Sequence, residues 1–206
     1  MSFLLRMKPA WLFILMILPF VFQMITIFSG VATAMTIDGS EQDELFIDTI
    51  ILGALMVLSL VVSIVLLYSW IYNIGTGLYR KLPPGHNLKL NRFKFAFFFP
   101  LVYLVGVGCF IVAAPTVGTA IAGWFFVIIP LHLFAMACAL YVLRYVAKSL
   151  KAVEMQRPVK FGDYAGEFFL FWFYVIGVWI IQPRINKIFA QEERSEYGGP
   201  VDRYMK

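Results

Sequence analysis

The feature that most constrains this chain is a stretch of 49 residues, 95–143, that carries no charged side chain. A helix rises about 1.5 Å per residue and a bilayer core is roughly 30 Å thick, so about 20 apolar residues cross it once. The stretch is too long for one span and suits two spans joined by a tight turn. Pro115-Thr116-Val117-Gly118 has the residue types of such a turn.

Two further apolar runs precede this stretch, at 10–37 and 45–79. The first run is 28 residues long, whereas the apolar region of a signal peptide has about 7–15, so we interpret it as a first transmembrane helix. The sequence therefore predicts an all-α, polytopic transmembrane helical bundle. Its four spans are expected near 10–33, 48–74, 95–114 and 119–143.

The composition excludes most other classes of protein. Hydrophobic residues make up 61% of the chain and charged residues 14%, against about 45–50% and 25% in soluble domains. A soluble globular domain, a disordered chain and a disulfide scaffold are all excluded. Cys109 and Cys138 fall inside apolar runs and are interpreted as packing residues. No metal site and no cofactor is predicted.

A fifth apolar segment, 168–181, has only 14 residues and would reach roughly 21 Å as a helix. Segments of this length are more often re-entrant or interfacial than spanning, and Gly177 and Pro183 are candidates to break or bend it. The expected organisation has three parts. They are a four-helix bundle with a cytoplasmic helical extension (1–160), the membrane-associated segment (161–190) and a polar cytoplasmic tail (191–206).

The placement of charge decides between four and five spans. The loop 38–48 carries five acidic and no basic residues, and the 17 Lys and Arg residues lie in the other extramembrane segments. Four spans place every basic residue on one side, which is the cytoplasmic side by the positive-inside rule. We therefore expect a bacterial inner-membrane type of protein with both termini in the cytoplasm.

The chain is expected to stay helical beyond the fourth span. Leu143, Val146, Leu150 and Val153 recur on one helical face, and Pro158 ends the pattern. This stripe predicts a cytoplasmic extension that lies partly on the membrane surface.

The ionisable residue His132 lies near the middle of the predicted fourth span, and the polar residue Gln23 lies at a similar depth in the first. Ionisable groups at that depth are functional-site hypotheses by default. The alternative is structural, because a Gln23–His132 hydrogen bond across the bundle would satisfy both side chains. The first interpretation implies a small transporter or oligomeric pore with both residues on a polar path.

Charged residues flank the fifth segment on both sides. Asp163 and Glu167 lie where a helix N-terminus favours anions, and Arg184 and Lys187 follow the segment. Glu167 is expected to pair with Arg184 at the membrane surface. A membrane-embedded enzyme with a cytoplasm-facing site is a further alternative, but the chain has no recognisable catalytic motif.

A basic, proline-containing loop connects the second and third spans. Its charges either set the topology alone or also attract anionic lipid headgroups. The candidate headgroup ligands are Arg80, Lys81, Lys89, Arg92 and Lys94. The expected partners are membrane lipids and another membrane protein or a second copy of the chain, with no role for nucleic acid.

The chain contains four short sequence motifs: Lys81-Leu82-Pro83, Asn91-Arg92-Phe93-Lys94, Ala147-Lys148-Ser149-Leu150-Lys151 and Trp179-x-x-Gln182-Pro183-Arg184-x-Asn186-Lys187. Over about 80–190 the chain resembles small multi-pass bacterial membrane proteins of uncharacterised function. The resemblance implies no activity, cofactor or site. The leading hypothesis is a non-catalytic membrane protein that acts as a subunit, scaffold or regulator through protein or lipid contacts.

Overall fold

The computed structural model describes residues 3–5, 7–36, 42–117 and 121–197. Side chains are described within those ranges except at 3, 33, 34, 36, 42–49, 112–117, 121–125 and 192–197. The described residues contain helices and no strand. After a short 3-10 helix at Phe3–Leu5 come α1 (Pro9–Thr36), α2 (Gln42–Tyr79), α3 (Leu90–Val117), α4 (Ile121–Met155), α5 (Phe161–Trp172) and α6 (Tyr174–Tyr197).

Four of these helices are long and apolar enough to cross a bilayer. The spanning segments are Pro9–Ala32, Ile50–Tyr79, Leu90–Ile111 and Phe126–Met155. The predicted fold class, an all-α bundle with four spans, is confirmed. The chain is a multi-pass membrane protein.

Several helix ends lie beyond the predicted spans. α2 ends at Tyr79 rather than at 74, and α3 begins at Leu90 rather than at 95. Arg92 and Lys94 are therefore helical, because Lys and Arg are good helix formers and a helix can continue past the apolar core. α3 also runs through Val117, so it includes three of the four residues of the predicted turn. Gly118, the loop 38–41 and the side chains of 42–48 lie outside the described residues.

The chain divides into two compact units. The terminal unit comprises Met1–Asn73 and Val175–Lys206, and the central unit comprises Ile74–Tyr174. The terminal unit thus takes residues from both ends of the chain, whereas the central unit is one continuous stretch. The three-part organisation predicted above refers to placement in the membrane, and it stays a prediction.

The central unit is built on α3 and α4, which pack against each other as an antiparallel hairpin. The Phe93 ring stacks on the Tyr145 ring with centroids 4.4 Å apart, and both side chains are buried. Further along the hairpin Phe99 meets Phe134 edge to face at 4.7 Å. Gly75 of α2 lies so close to Phe93 that an added Cβ would overlap the ring.

The predicted extension of α4 is confirmed as helix to Met155. The stripe positions Val146, Leu150 and Val153 are buried, and α4 packs against α5 as well as against α3. The helix ends at Met155, before Pro158, and the next residue, Gln156, has a φ of 49°, the left-handed conformation common just after helix C-termini.

The terminal unit contains α1, most of α2 and most of α6. Leu12 and Met16 of α1 are buried, as are Val178, Ile181 and Ile185 on one face of α6. The Phe13 ring contacts the Trp179 ring with centroids 5.2 Å apart, which joins α1 to α6.

The fifth apolar segment, 168–181, is divided between α5 and α6. The break lies at Phe173, where φ is −93° and ψ is 60°. Neither Gly177 nor Pro183 breaks the segment, because α6 runs through both residues, and a bend at either one stays a prediction. A proline in the first turn of a helix costs no hydrogen bond, because the N–H at that position has no partner within the helix. Pro183 lies well inside α6, so its missing N–H removes one backbone hydrogen bond, and packing must compensate for that loss.

The contact between Gly75 and Phe93 leads to a stability prediction. Gly75→Ala should lower the free energy of unfolding by about 1–3 kcal/mol, because the added methyl group must displace a ring packed on Tyr145. Thermal unfolding of the full chain in a mild detergent measures the effect. Gly106→Ala in α3 is the matched control, since a Cβ there meets no atom within 4 Å. Equal melting temperatures for the two variants would contradict the proposed close packing.

Candidate functional site

An open apolar groove lies between α3 and α4 in the central unit. Its volume is about 490 Å³, within the range of small-ligand pockets. Each helix contributes residues from one face, at spacings of about one turn. The lining residues are Asn91, Arg92, Phe95 and Ala96 from α3, and Phe134, Ala137, Cys138 and Tyr141 from α4.

Side-chain size explains why the groove exists. The floor includes Ala96 and Cys138, which are small and buried, while Phe95 is large and exposed beside them. Small residues on facing helices leave space that neither backbone fills. Ring contacts bound this space, with Phe93 stacked on Tyr145 towards the start of α3 and Phe99 packed on Phe134 further along.

The polar groups of the groove lie together at one end. Asn91 and Arg92 occupy the first turn of α3, and both side chains are exposed. Neither side chain makes a hydrogen bond or ion pair with any residue in the described part of the chain. The first turn of α3 also contains no acidic residue. The mouth of the groove is therefore cationic and available to a ligand.

The other predicted headgroup residues lie around the start of α3. Arg80, Lys89 and Lys94 are exposed and Lys81 is half-buried. Of the five candidates only Arg92 lines the groove. The structure thus separates one basic residue beside a cavity from four that lie on the loop or helix surface.

Polar contacts fasten α5 to α4 within the central unit. The Lys151 ammonium lies 3.0 Å from a carboxylate oxygen of Glu167, whose side chain is only 8% exposed. The Arg144 Nε donates to the Tyr164 hydroxyl at 2.9 Å. Glu167 has a partner in its own unit, Lys151, which the sequence analysis did not anticipate. Its predicted pairing with Arg184 stays a prediction.

Asp163 lies in the first turn of α5, as the sequence indicated. Its carboxylate accepts the backbone N–H of Lys160 at 2.9 Å and lies 3.5 Å from the Arg157 guanidinium. The Lys160 hydrogen bond, with help from the Arg157 charge, holds the pKa of Asp163 below its usual value. The ionised form therefore stabilises the helix start at neutral pH, and this contribution is lost only as the pH falls through that lowered pKa.

The two intramembrane candidates fall in different units. His132 lies on the exposed side of α4, and its Nδ1 is 3.2 Å from the Tyr103 hydroxyl of α3. Gln23 lies half-buried in α1, and its backbone carbonyl accepts the Thr26 hydroxyl at 2.9 Å. The Tyr103 contact gives His132 a structural partner that the sequence analysis missed. A Gln23–His132 hydrogen bond and a shared polar path stay predictions.

The structure gives a role to one sequence motif, Trp179-x-x-Gln182-Pro183-Arg184-x-Asn186-Lys187. The fully buried Gln182 side chain accepts the Trp70 indole N–H at 2.9 Å. Its amide nitrogen lies 3.1 Å from the Leu4 carbonyl oxygen and 3.2 Å from that of Met7. One side chain therefore joins α6, α2 and the segment before α1.

Asn186, one turn further along α6, takes part in the same contacts. Asn186 accepts from the Gln182 amide through its own side-chain oxygen at 3.1 Å and donates to the Met7 carbonyl at 3.1 Å. Arg184 is half-buried and Lys187 is exposed on the same helix. Their predicted role as interfacial charges is not tested by these contacts.

Three titratable side chains of the central unit, Asp163, Glu167 and His86, make separate contacts. Asp163 and Glu167 form the ion pairs described above, and the His86 Nδ1 lies 3.1 Å from the Pro83 carbonyl oxygen. None of the three lines the groove. Within the described ranges, no group of three His, Cys, Asp or Glu residues is placed to hold a metal ion.

Sequence reasoning missed most of the groove. Cys138 was interpreted only as a packing residue, and Phe134 and Ala137 were not considered. The available signal was the tight turn between the third and fourth spans. An antiparallel hairpin places the start of one helix beside the end of the other, so small residues in both could have been examined together.

No protein-family model, curated protein or solved structure matches this chain.

The Gln182 contacts predict a large effect from one substitution. Gln182→Leu should lower the free energy of unfolding by about 1–3 kcal/mol for each buried partner left unpaired. It should also speed tryptic cleavage after Arg6, because the Leu4 carbonyl loses its side-chain donor and the Met7 carbonyl keeps only the Asn186 amide. Thermal unfolding and a timed digest of the detergent-solubilised chain measure the two effects.

Asn186→Leu is the matched control for this substitution. This substitution lies on the same helix as Gln182. It removes the Asn186 contacts with Gln182 and Met7 and leaves the Trp70–Gln182 hydrogen bond intact. Its effect on unfolding should be smaller. If Gln182→Leu digests and melts like Asn186→Leu, Gln182 is not the central contact of the terminal unit.

Proposed function

We propose that this protein is a non-catalytic integral membrane protein of the bacterial inner-membrane type. It acts as a subunit, scaffold or regulator through contacts with lipids or with another membrane protein. The single observation that supports this proposal is the character of the groove. Its walls are apolar, Asn91 and Arg92 lie together at one end, and the Asp163, Glu167 and His86 side chains make contacts with other residues.

This arrangement suits binding better than chemistry. General acid–base catalysis needs a titratable group within hydrogen-bond reach of the reacting atoms. The groove offers a guanidinium, an amide, a thiol and a phenol, with no carboxylate or imidazole among its lining residues. An apolar cavity with a cationic mouth suits retention of a ligand better than its activation.

Charge distribution supports cytoplasmic termini. The contact between Phe93 and Tyr145 places Arg92 and Arg144 at the same end of the α3–α4 hairpin. The basic residues before α1 and after α4 belong to the same side in a four-span threading.

Reporter fusions test this topology. A fluorescent reporter fused after Lys206 should be active in the cytoplasm, and a phosphatase that folds only outside the cytoplasm should be inactive there. Insertion of the same reporters within 38–41 is the matched control and should give the reverse result, since that loop has no basic residue. An external readout after Lys206 would contradict the proposed orientation.

Purification from native membranes tests the contact function. The tagged full chain, expressed at low level and extracted in a mild detergent, should retain either a membrane protein in fixed proportion or tightly held phospholipid. Mass spectrometry of the eluate identifies what is retained, and an unrelated tagged four-span protein is the control for carry-over. A monomer that elutes with neither protein nor lipid above the control would contradict the proposal.

A further inference from the structure

We propose that the α3–α4 groove binds one anionic phospholipid of the cytoplasmic leaflet. An acyl chain occupies the apolar channel and the phosphate contacts the Arg92 guanidinium. The inference deepens the proposed function and depends on it for the choice of leaflet. It depends on the groove alone for the chemistry of the ligand.

The walls of the groove select an apolar occupant. Phe95 and Phe134 are large exposed aromatic residues, and Ala96 and Cys138 form a small buried floor between them. Water gains few hydrogen bonds in such a space, whereas burial of methylene groups against it is favourable. The groove is open along one side, so a chain can enter from the surrounding lipid.

The mouth of the groove selects an anion. Arg92 presents a planar guanidinium with several donors, which matches the geometry of phosphate oxygens. The neighbouring Asn91 amide adds a donor, and the helix N-terminus adds a partial positive charge without an acidic residue to offset it. Neither side chain is already engaged with the described residues.

The position of the mouth selects a lipid over a soluble anion. Arg92 lies in the first turn of a spanning helix, Leu90–Ile111, and the groove extends from it along that helix. Basic pockets between transmembrane helices on the cytoplasmic side are typical sites for anionic headgroups. A phospholipid carries both the anionic phosphate and the apolar chain in one molecule. An apolar partner helix would fill the channel, but it would leave Arg92 without a counter-charge unless it also carried an acidic residue.

Native mass spectrometry of the full chain tests the headgroup contact. The protein is released from nanodiscs that contain phosphatidylglycerol and phosphatidylcholine in equal amounts, and the retained lipids are counted. The wild-type chain should retain one phosphatidylglycerol. Arg92→Gln should lower that retention about fivefold, the change expected for one basic residue near a headgroup.

Arg80→Gln is the matched control for charge. Arg80 is exposed in the same basic region but does not line the groove. Its substitution removes the same charge and should leave the retained phosphatidylglycerol within about twofold of wild type. Equal losses for Arg80→Gln and Arg92→Gln would show general surface attraction and overturn the proposed site.

Ala137→Phe tests the channel without changing charge. Ala137 is exposed at the open side of the groove, so a larger ring there should block the chain while the hairpin stays folded. Retention of phosphatidylglycerol should fall about as far as in Arg92→Gln. Ala139→Phe, also exposed on α4 but outside the lining, is the matched control for an added ring and should retain the lipid.

Two results would overturn the inference. One is undiminished phosphatidylglycerol in Ala137→Phe at an unchanged melting temperature. The other is a lipid-free dimer or complex that Ala137→Phe dissociates, which would assign the groove to a protein partner. Because lipids are counted on the purified chain, a negative result here leaves the reporter fusions and the native purification to decide the proposed function separately.

Discussion

The constraint on which the rest of this structure depends is that polar groups inside a bilayer must find partners within the protein. Four long helices satisfy their backbones internally, and hydroxyls within the spans bond to their own helix, as Ser59 does to the Met56 carbonyl at 2.9 Å. Gln182 shows the same rule between helices, because it is buried and bonded on both of its side-chain atoms. Tyr145 departs from it, with a buried hydroxyl that has no partner among the described residues.

Exceptions to a rule of full pairing are informative, and here they concentrate near the start of α3 and the end of α4. Arg92 and Asn91 have donors without described acceptors, and both lie at the edge of an apolar space. The Glu167 and Asp163 carboxylates, by contrast, are engaged by Lys151 and Arg157. The central unit thus uses its acids to hold α5 in place and leaves cationic and amide donors at the groove. This division is why we favour recognition of an anionic amphiphile over catalysis.

The class of fold was predictable from the sequence because span number depends on long uncharged runs, which are local features. The stripe Val146, Leu150 and Val153 was predictable for the same reason, since helical periodicity can be read along the chain. The Phe93–Tyr145 stack, the Tyr103–His132 contact and the Gln182 contacts were not. Each depends on which helices are neighbours, and apolar spans give little periodicity to indicate it, because lipid and protein faces are both hydrophobic. The break at Phe173 also lacked a local signal, while the glycine and proline that attracted attention lie inside α6.

The arrangement of the terminal unit has a consequence for biosynthesis. The Gln182 amide meets the Leu4 carbonyl across a separation of 178 positions in sequence, so this contact forms only after Gln182 itself has left the ribosome. The central unit is contiguous and has all of its residues available earlier. Translation therefore produces an interval in which the first span is already inserted but lacks its final neighbours, and chaperones or quality-control proteases that monitor nascent membrane proteins would encounter the chain in that state.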